Sequence, residues 1–194
     1  GRGSDERSHF VFRDGRGPDG DEPPNDWGSN FGGPAWTRVA DGQWYLHLFD
    51  TAQPDWNWRH PAVPELFDGV LRFWLDRGVA GIRVDVADHL FKDPELPDDA
   101  TLEPGAPPTR THRPELHDLY RRWRAILDSY DPNTFPGERT AIGEHWSPPR
   151  QLRPYLVDGL PQALNTVLLL TAWDAGKLRA GIDAESVEPI GEGA

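Results

Sequence analysis

The sequence predicts an α/β fold with a parallel sheet that is incomplete within these 194 residues. From Pro61 onward, segments of helical period alternate with segments of strand period, the order in which crossover helices link parallel strands. The first fifty-odd residues instead abound in Gly, Pro, Asp and Trp and show little periodicity, the texture of an irregular excursion from a larger fold. Three strands neither close a barrel nor cover both faces of a sheet. Partner strands are therefore expected outside this stretch.

Taken in order, Gly15 to Gly33 reads as a loop from its turn chemistry, and Gln43 to Phe49 alternates well enough for a short strand. Phe67, Val70, Leu71, Trp74 and Leu75 follow the spacing of one apolar helix stripe, with Gly78 as its stop. Ile82, Val84 and Val86 alternate with Gly81, Arg83 and Asp85, which makes Gly81 to Val86 a strand. Pro94, Pro97, Pro104, Pro107 and Pro108 forbid a long helix between Asp88 and His112, a connection long enough to be a lid, a binding loop or disorder. Leu116, Leu119, Tyr120, Trp123 and Leu127 mark a second helix, and Thr140 to Glu144 a short strand. A weaker helix over Gln151 to Leu156 precedes a strand-like run, Ala163 to Leu170.

Composition narrows the function. No apolar run approaches membrane-spanning length, and a net charge of −12 argues against a nucleic-acid surface. Without cysteine there is neither a disulfide framework nor a thiolate metal site. His47, His60, His89 and His145 show no metal-ligand spacing, so no metal and no cofactor are expected. Nine tryptophans either fill a core or offer flat faces to sugar rings. Among the aromatics Trp27, Phe31 and Trp146 are candidate platforms, with core packing favoured for Trp27. The chain has no methionine and opens in the style of a loop, so it reads as an internal piece of a longer protein.

The chemistry concentrates in Gly81-Ile-Arg-Val-Asp-Val86 and, about sixty residues on, Ile142-Gly-Glu-His-Trp146. Arg83 and Asp85 share one strand face. They are either a structural ion pair or a nucleophile kept ionised by its neighbouring guanidinium. Glu144 at the end of the next strand shifts the balance toward the second. A retaining glycosidase needs two carboxyl groups about 5 Å apart, one ionised and one protonated. Adjacent strands lie about 4.8 Å apart, so carboxylates at their ends meet that need. Arg83 is expected to hold Asp85 ionised. Glu144, with no basic sequence neighbour but His145, is expected to keep its proton. Asp88 reads as a loop cap.

These segments resemble glycoside hydrolase family 13, the α-amylase family, in its α-glucosidase and oligo-1,6-glucosidase branch. Gly81 to Asp85 resembles the second family signature and Gly143 to Trp146 the third. Gln53-Pro-Asp-Trp-Asn57 is similar to the Gln-Pro-Asp-Leu-Asn signature of oligo-1,6-glucosidases. Asp26-Trp-Gly-Ser-Asn-Phe-Gly-Gly33 and Tyr45-Leu-His-Leu-Phe-Asp50 resemble the family's protruding domain B, and Phe91 to Pro97 resembles actinobacterial members most. Two departures stand out. Ile82 replaces the commoner phenylalanine, and Leu164-Asn165-Thr166-Val167 replaces Phe-Asn-Phe followed by an acid.

The resemblance implies part of a (β/α)8 TIM barrel, about strands 4 to 6, preceded by part of domain B. Residues 1–57 would belong to domain B and 58–194 to the barrel, with an active-site loop at 88–112. It implies a retaining α-glucosidase with Asp85 as nucleophile, Glu144 as acid/base and Arg83 orienting the nucleophile. Val86, His145, Trp146, Phe31 and Asn165 would touch substrate, with Val86 favouring α-1,6 linkages, and Asp55 and Asn57 would hold domain B against the barrel. The implied partner is a short α-glucoside in the cytoplasm, with no nucleic acid or membrane. The first signature, with its calcium contact, would lie before Gly1, and the third catalytic aspartate beyond Ala194. Two alternatives stand beside hydrolysis: a transglycosylase or isomerase of the sucrose isomerase or trehalose synthase type, and a non-catalytic relative.

Overall fold

A computed structural model describes residues 2–147, 149–164 and 166–186. The chain forms two units, Gly1–Val70 with His89–Arg113, and Leu71–Asp88 with Pro114–Ala194. The division falls inside a helix, and the long loop belongs with the N-terminal unit.

The first unit holds helix α1 (Asp5–Ser8) and a three-stranded antiparallel sheet of β1 (Phe12–Asp14), β2 (Trp36–Arg38) and β3 (Gln43–Leu46) in the order β1-β3-β2. Only β3 is visible as a strand in the sequence, because the other two are three residues long and lie among turn formers. Val11, Trp27, Ala35, Trp36, Leu46 and Leu48 form its core, with Leu96 of the loop packed against them. Trp27 is thus a core residue. Buried Asn25 organises this core: its side-chain oxygen accepts from Trp36 Nε1 (2.6 Å) and from the Trp27 amide (3.2 Å), while Nδ2 donates to the Leu96 carbonyl (3.0 Å).

The Pro-rich loop is hydrogen-bonded to the rest of the first unit. Trp27 Nε1 donates to the Pro97 carbonyl (2.8 Å), and the Asp26 carboxylate accepts from the Asp99 and Ala100 amides (2.6 and 2.9 Å). Burial raises the Asp26 pKa, but those two amides outweigh it and hold it below the ordinary aspartate value. Lys92 makes a buried ion pair with Asp55, whose other oxygen accepts from the Leu48 amide (2.6 Å). Asn57 Nδ2 donates to the Ser8 carbonyl (3.0 Å). Asp55 and Asn57 therefore brace segments within this unit.

Helix α2 (Ala62–Leu75) spans the boundary between the units. The predicted stripe splits: Leu71 and Leu75 are buried and Phe67 half-buried, while Val70 and Trp74 are exposed. Gly78 ends it at φ +89°, a conformation that favours glycine, and the Val79 amide closes on the Trp74 carbonyl (3.2 Å).

The second unit carries a parallel sheet of β4 (Gly81–Val84), β5 (Thr140–Gly143) and β6 (Gln162–Ala163) in the order β4-β5-β6. Helix α3 (Glu115–Asp128) buries the predicted stripe of Leu116, Leu119, Tyr120, Trp123 and Leu127, and Ile126 beside it. Helix α4 (Pro149–Asp158) buries Leu152 and Tyr155. Two expectations are corrected here. The β4 strand stops at Val84, since residues 85–88 are a turn. The strand expected from Ala163 to Leu170 ends at Ala163 and gives way to helix α5 (Thr166–Leu170), because a short apolar run has no period to separate strand from helix. Helix α6 (Ala175–Ser186) follows, unforeseen because it has no apolar stripe. No helix among the described residues is long and apolar enough to cross a membrane.

Candidate active site

The register of the parallel sheet aligns the two carboxylates. Gly81 pairs with Thr140, Ile82 with Ala141, Arg83 with Ile142 and Val84 with Gly143. Asp85 and Glu144 are therefore the first residues past two adjacent strand ends, on the side where parallel α/β proteins carry their sites. Two backbone bonds clip the ends together: the Glu144 amide donates to the Val84 carbonyl (2.9 Å) and the Ala87 amide to the Glu144 carbonyl (2.8 Å).

Arg83 joins the two acids. Its Nη1 lies 2.7 Å from Asp85 Oδ1 and its Nη2 donates to Glu144 Oε2 at 2.6 Å. One planar guanidinium presents N–H groups on two terminal nitrogens in a fixed geometry, one directed to each carboxylate. Partial burial acts to lower the Arg83 pKa, but the charges of Asp85 and Glu144 outweigh it and raise it, so the side chain remains a cation. Glu144 thus has a basic partner through space that the sequence did not reveal. The site is also more open than a buried ion pair: the side chains of Arg83 and Asp85 are 51% and 68% exposed, that of Glu144 only 14%.

Val86 adds a second donor. Its amide lies 3.3 Å from Glu144 Oε2. The residue adopts φ +40°, a left-handed conformation that costs a β-branched side chain on the order of 1–3 kcal/mol. That turn directs the backbone N–H at the glutamate and leaves the Val86 side chain partly buried.

Behind the acids, buried Tyr120 of α3 donates its hydroxyl to the Ala87 carbonyl. The Asp85–Asp88 turn is therefore held from α3 through Ala87 and from β5 through Glu144. Asp88 is buried too, and accepts from Ser147 Oγ at 3.1 Å. Sequence reasoning placed Tyr120 on a helix stripe as core; only the fold shows what its hydroxyl reaches.

The remaining predicted contacts separate. His145 is fully buried, its ring 4.6 Å from that of Tyr155, and a Cβ on Gly143 would stand 2.6 Å from its Nε2. It packs against Tyr155 and Gly143 at the end of β5. Trp146 is half exposed, a free aromatic face next to the site in sequence. Phe31 belongs to the other unit and is exposed, edge-on to Phe49 at 5.6 Å. Asn165 lies outside the described residues.

One group of possible metal ligands exists among the described residues, Asp5, His9 and His60, all in the first unit. Along the chain no ligand lies at metal-site spacing from His60, so only the fold brings the three together.

Residues 2–164 match the family described as alpha amylase, catalytic domain. The chain belongs to the α-amylase family. An α-glucosidase of Culex pipiens is 40% identical over 120 residues, which span 57% of this chain and 21% of that protein. The crystal structure of Bacillus licheniformis trehalose-6-phosphate hydrolase superposes with a TM-score of 0.80 at 26% identity, covering 95% of this chain and 34% of that one. A trehalulose synthase, MutB, superposes with a TM-score of 0.78 at 29% identity over 94% of this chain and 34% of that one. The chain thus spans about a fifth to a third of these α-amylase-family relatives.

Proposed function

We propose that this chain is the nucleophile-bearing part of a retaining α-glucosidase that releases terminal glucose from short α-1,4- or α-1,6-linked oligosaccharides. The observation that carries this reading is the Arg83 fork, bonded at once to Asp85 and Glu144 beyond two strands in register. The antiparallel unit is then part of domain B. The parallel unit is about strands 4 to 6 of the (β/α)8 barrel.

Asp85, the more exposed acid, attacks the anomeric carbon while the glycosidic oxygen leaves with a proton from Glu144. Oε2 of Glu144 is occupied by Arg83 and Val86, so Oε1 is the oxygen left to carry that proton. In the second half-reaction Glu144 takes a proton from water, whose oxygen attacks the same carbon, frees Asp85 and gives glucose of retained α configuration. Arg83 stays protonated throughout. It orients Asp85 and balances charge as the covalent ester forms and breaks. Val86 lines the turn beside the nucleophile and sorts linkages, and Trp146 offers a stacking face.

A second reading, transfer in place of hydrolysis, is favoured by the similarity to trehalulose synthase. One experiment addresses both. The whole protein is given maltose, isomaltose and sucrose, and products are followed by NMR from the first turnover. Free α-glucose is expected, with Asp85→Asn lowering kcat by about 10⁴-fold or more. Rearranged disaccharide would establish transfer, β-glucose would exclude the retaining route, and an active Asp85→Asn variant would remove Asp85 from its role.

A further inference from the structure

We infer that Asp5, His9 and His60 form a binding site for a divalent transition-metal ion of the zinc class, apart from the carboxylate site. One ligand atom from each lies within 4.8 Å of the others, although 51 residues separate the two histidines in the chain. His60 Nε2 faces Asp5 Oδ1 at 3.9 Å, and the two imidazole rings stand 4.9 Å apart, tilted by 57°. The histidine Nε2 of His9 is buried and has no hydrogen-bond partner among the described residues. A buried polar nitrogen costs about 1–3 kcal/mol when nothing satisfies it, and a metal ion is one group that would.

The backbone around the site is fixed independently of any ion. The Asn57 amide donates to the His9 carbonyl (2.7 Å), Asn57 Nδ2 to the Ser8 carbonyl (3.0 Å), and the His60 amide to the Asn57 carbonyl (2.8 Å). Phe10 and Trp56 form a β-bridge and stack at 4.5 Å beside it. The histidines are therefore presented by a clipped pair of segments, while Asp5, 85% exposed at its side chain, is free to close.

Ligand type selects the ion. Two imidazoles and one carboxylate suit zinc, cobalt, nickel or copper, whereas calcium and magnesium prefer an all-oxygen shell. A tetrahedral zinc ion with bonds of about 2.0–2.1 Å sets its ligands roughly 3.3 Å apart, so a rotation of Asp5 and small ring movements complete three positions and leave a fourth for water. Coordination through His60 Nε2 moves the ring proton to Nδ1. The Ala62 amide, which now donates to Nδ1 at 3.3 Å, is then left to solvent, as first-turn helix amides commonly are. The bound ion would staple α1 to the start of α2.

The test uses the whole protein, dialysed against chelator and then titrated with cobalt(II) and zinc(II). One equivalent of cobalt with the visible absorption of a tetrahedral nitrogen–oxygen site is expected, displaced by zinc and untouched by calcium. His9→Gln and His60→Gln should each lower the affinity at least tenfold while leaving the far-UV circular dichroism unchanged. Binding that both variants retain, an octahedral cobalt spectrum in the wild-type protein, or no stoichiometric binding would each overturn the site. The wild-type spectrum reports the ligand geometry even if a variant fails to fold. Glucosidase activity is a separate readout, since none of the three residues belongs to the carboxylate site.

Discussion

At the scale of single residues, the central feature is one cation shared between two acids. Lysine at position 83 would keep the charge but lose the fork, since an ammonium is a point donor on a flexible stem. Arg83→Lys is therefore expected to lower kcat/KM on the order of 10²-fold, the loss that follows displacement of a reacting group by about 1 Å. Steady-state kinetics on a chromogenic α-glucoside would show it, and unchanged kcat/KM would mean that charge alone suffices. The pattern Arg-x-Asp was legible because strand period places both residues on one face. The bond from Arg83 to Glu144 was not, because nothing in the sequence states that β4 and β5 are neighbours in register. Val86 is the converse case. Alternation extended the strand through it, whereas its left-handed φ turns the chain and aims its amide at Glu144.

At the scale of elements, α3 fixes the turn that carries Asp85 through the Tyr120 hydroxyl. Removing that hydroxyl leaves the Ala87 carbonyl buried without its partner, at a cost of about 1–3 kcal/mol. Tyr120→Phe should lower the denaturant midpoint accordingly. As a positioning residue, Tyr120 should also affect kcat more than KM; an unchanged kcat at reduced stability would leave it a purely structural role. Burial, reinforced by Tyr155 and Asp88, raises the Tyr120 pKa well above that of a free phenol. The sign follows from the neutral form being the one the fold favours. Its contribution is fully present below the unfolded value near 10 and is lost as pH rises from there toward the folded value. Unfolding titrations from pH 8 to 11 should therefore show stability falling above about pH 10, less steeply in Tyr120→Phe. An equal alkaline slope in both proteins would assign it to other groups. The stripe on α3 was readable because helix period and burial agree at every position. The run after Ala163 was not, since four consecutive apolar residues carry no period.

At the scale of the whole chain, the sheet of the second unit has no further strand beside β4 or β6 among the described residues, and Phe73, Trp74, Leu169 and Leu170 stay exposed. Unpaired edges and apolar side chains of this kind seek partners. The 194-residue chain expressed by itself is expected to self-associate and to hydrolyse no α-glucoside; a monomer on size exclusion with a cooperative melt would contradict this. The alternating pattern in the sequence determined the parallel α/β class. Its two signature segments singled out Asp85 and Glu144 as the candidate acids, because strand period and the chemistry of side chains are local properties. Three things had to wait for the tertiary structure: the sharing of Arg83 between both carboxylates, the strapping of the Pro-rich loop onto the first unit, and the meeting of His9 with His60. Each joins residues dozens of positions apart, and such distances are set by strand register and chain closure, which no local pattern encodes.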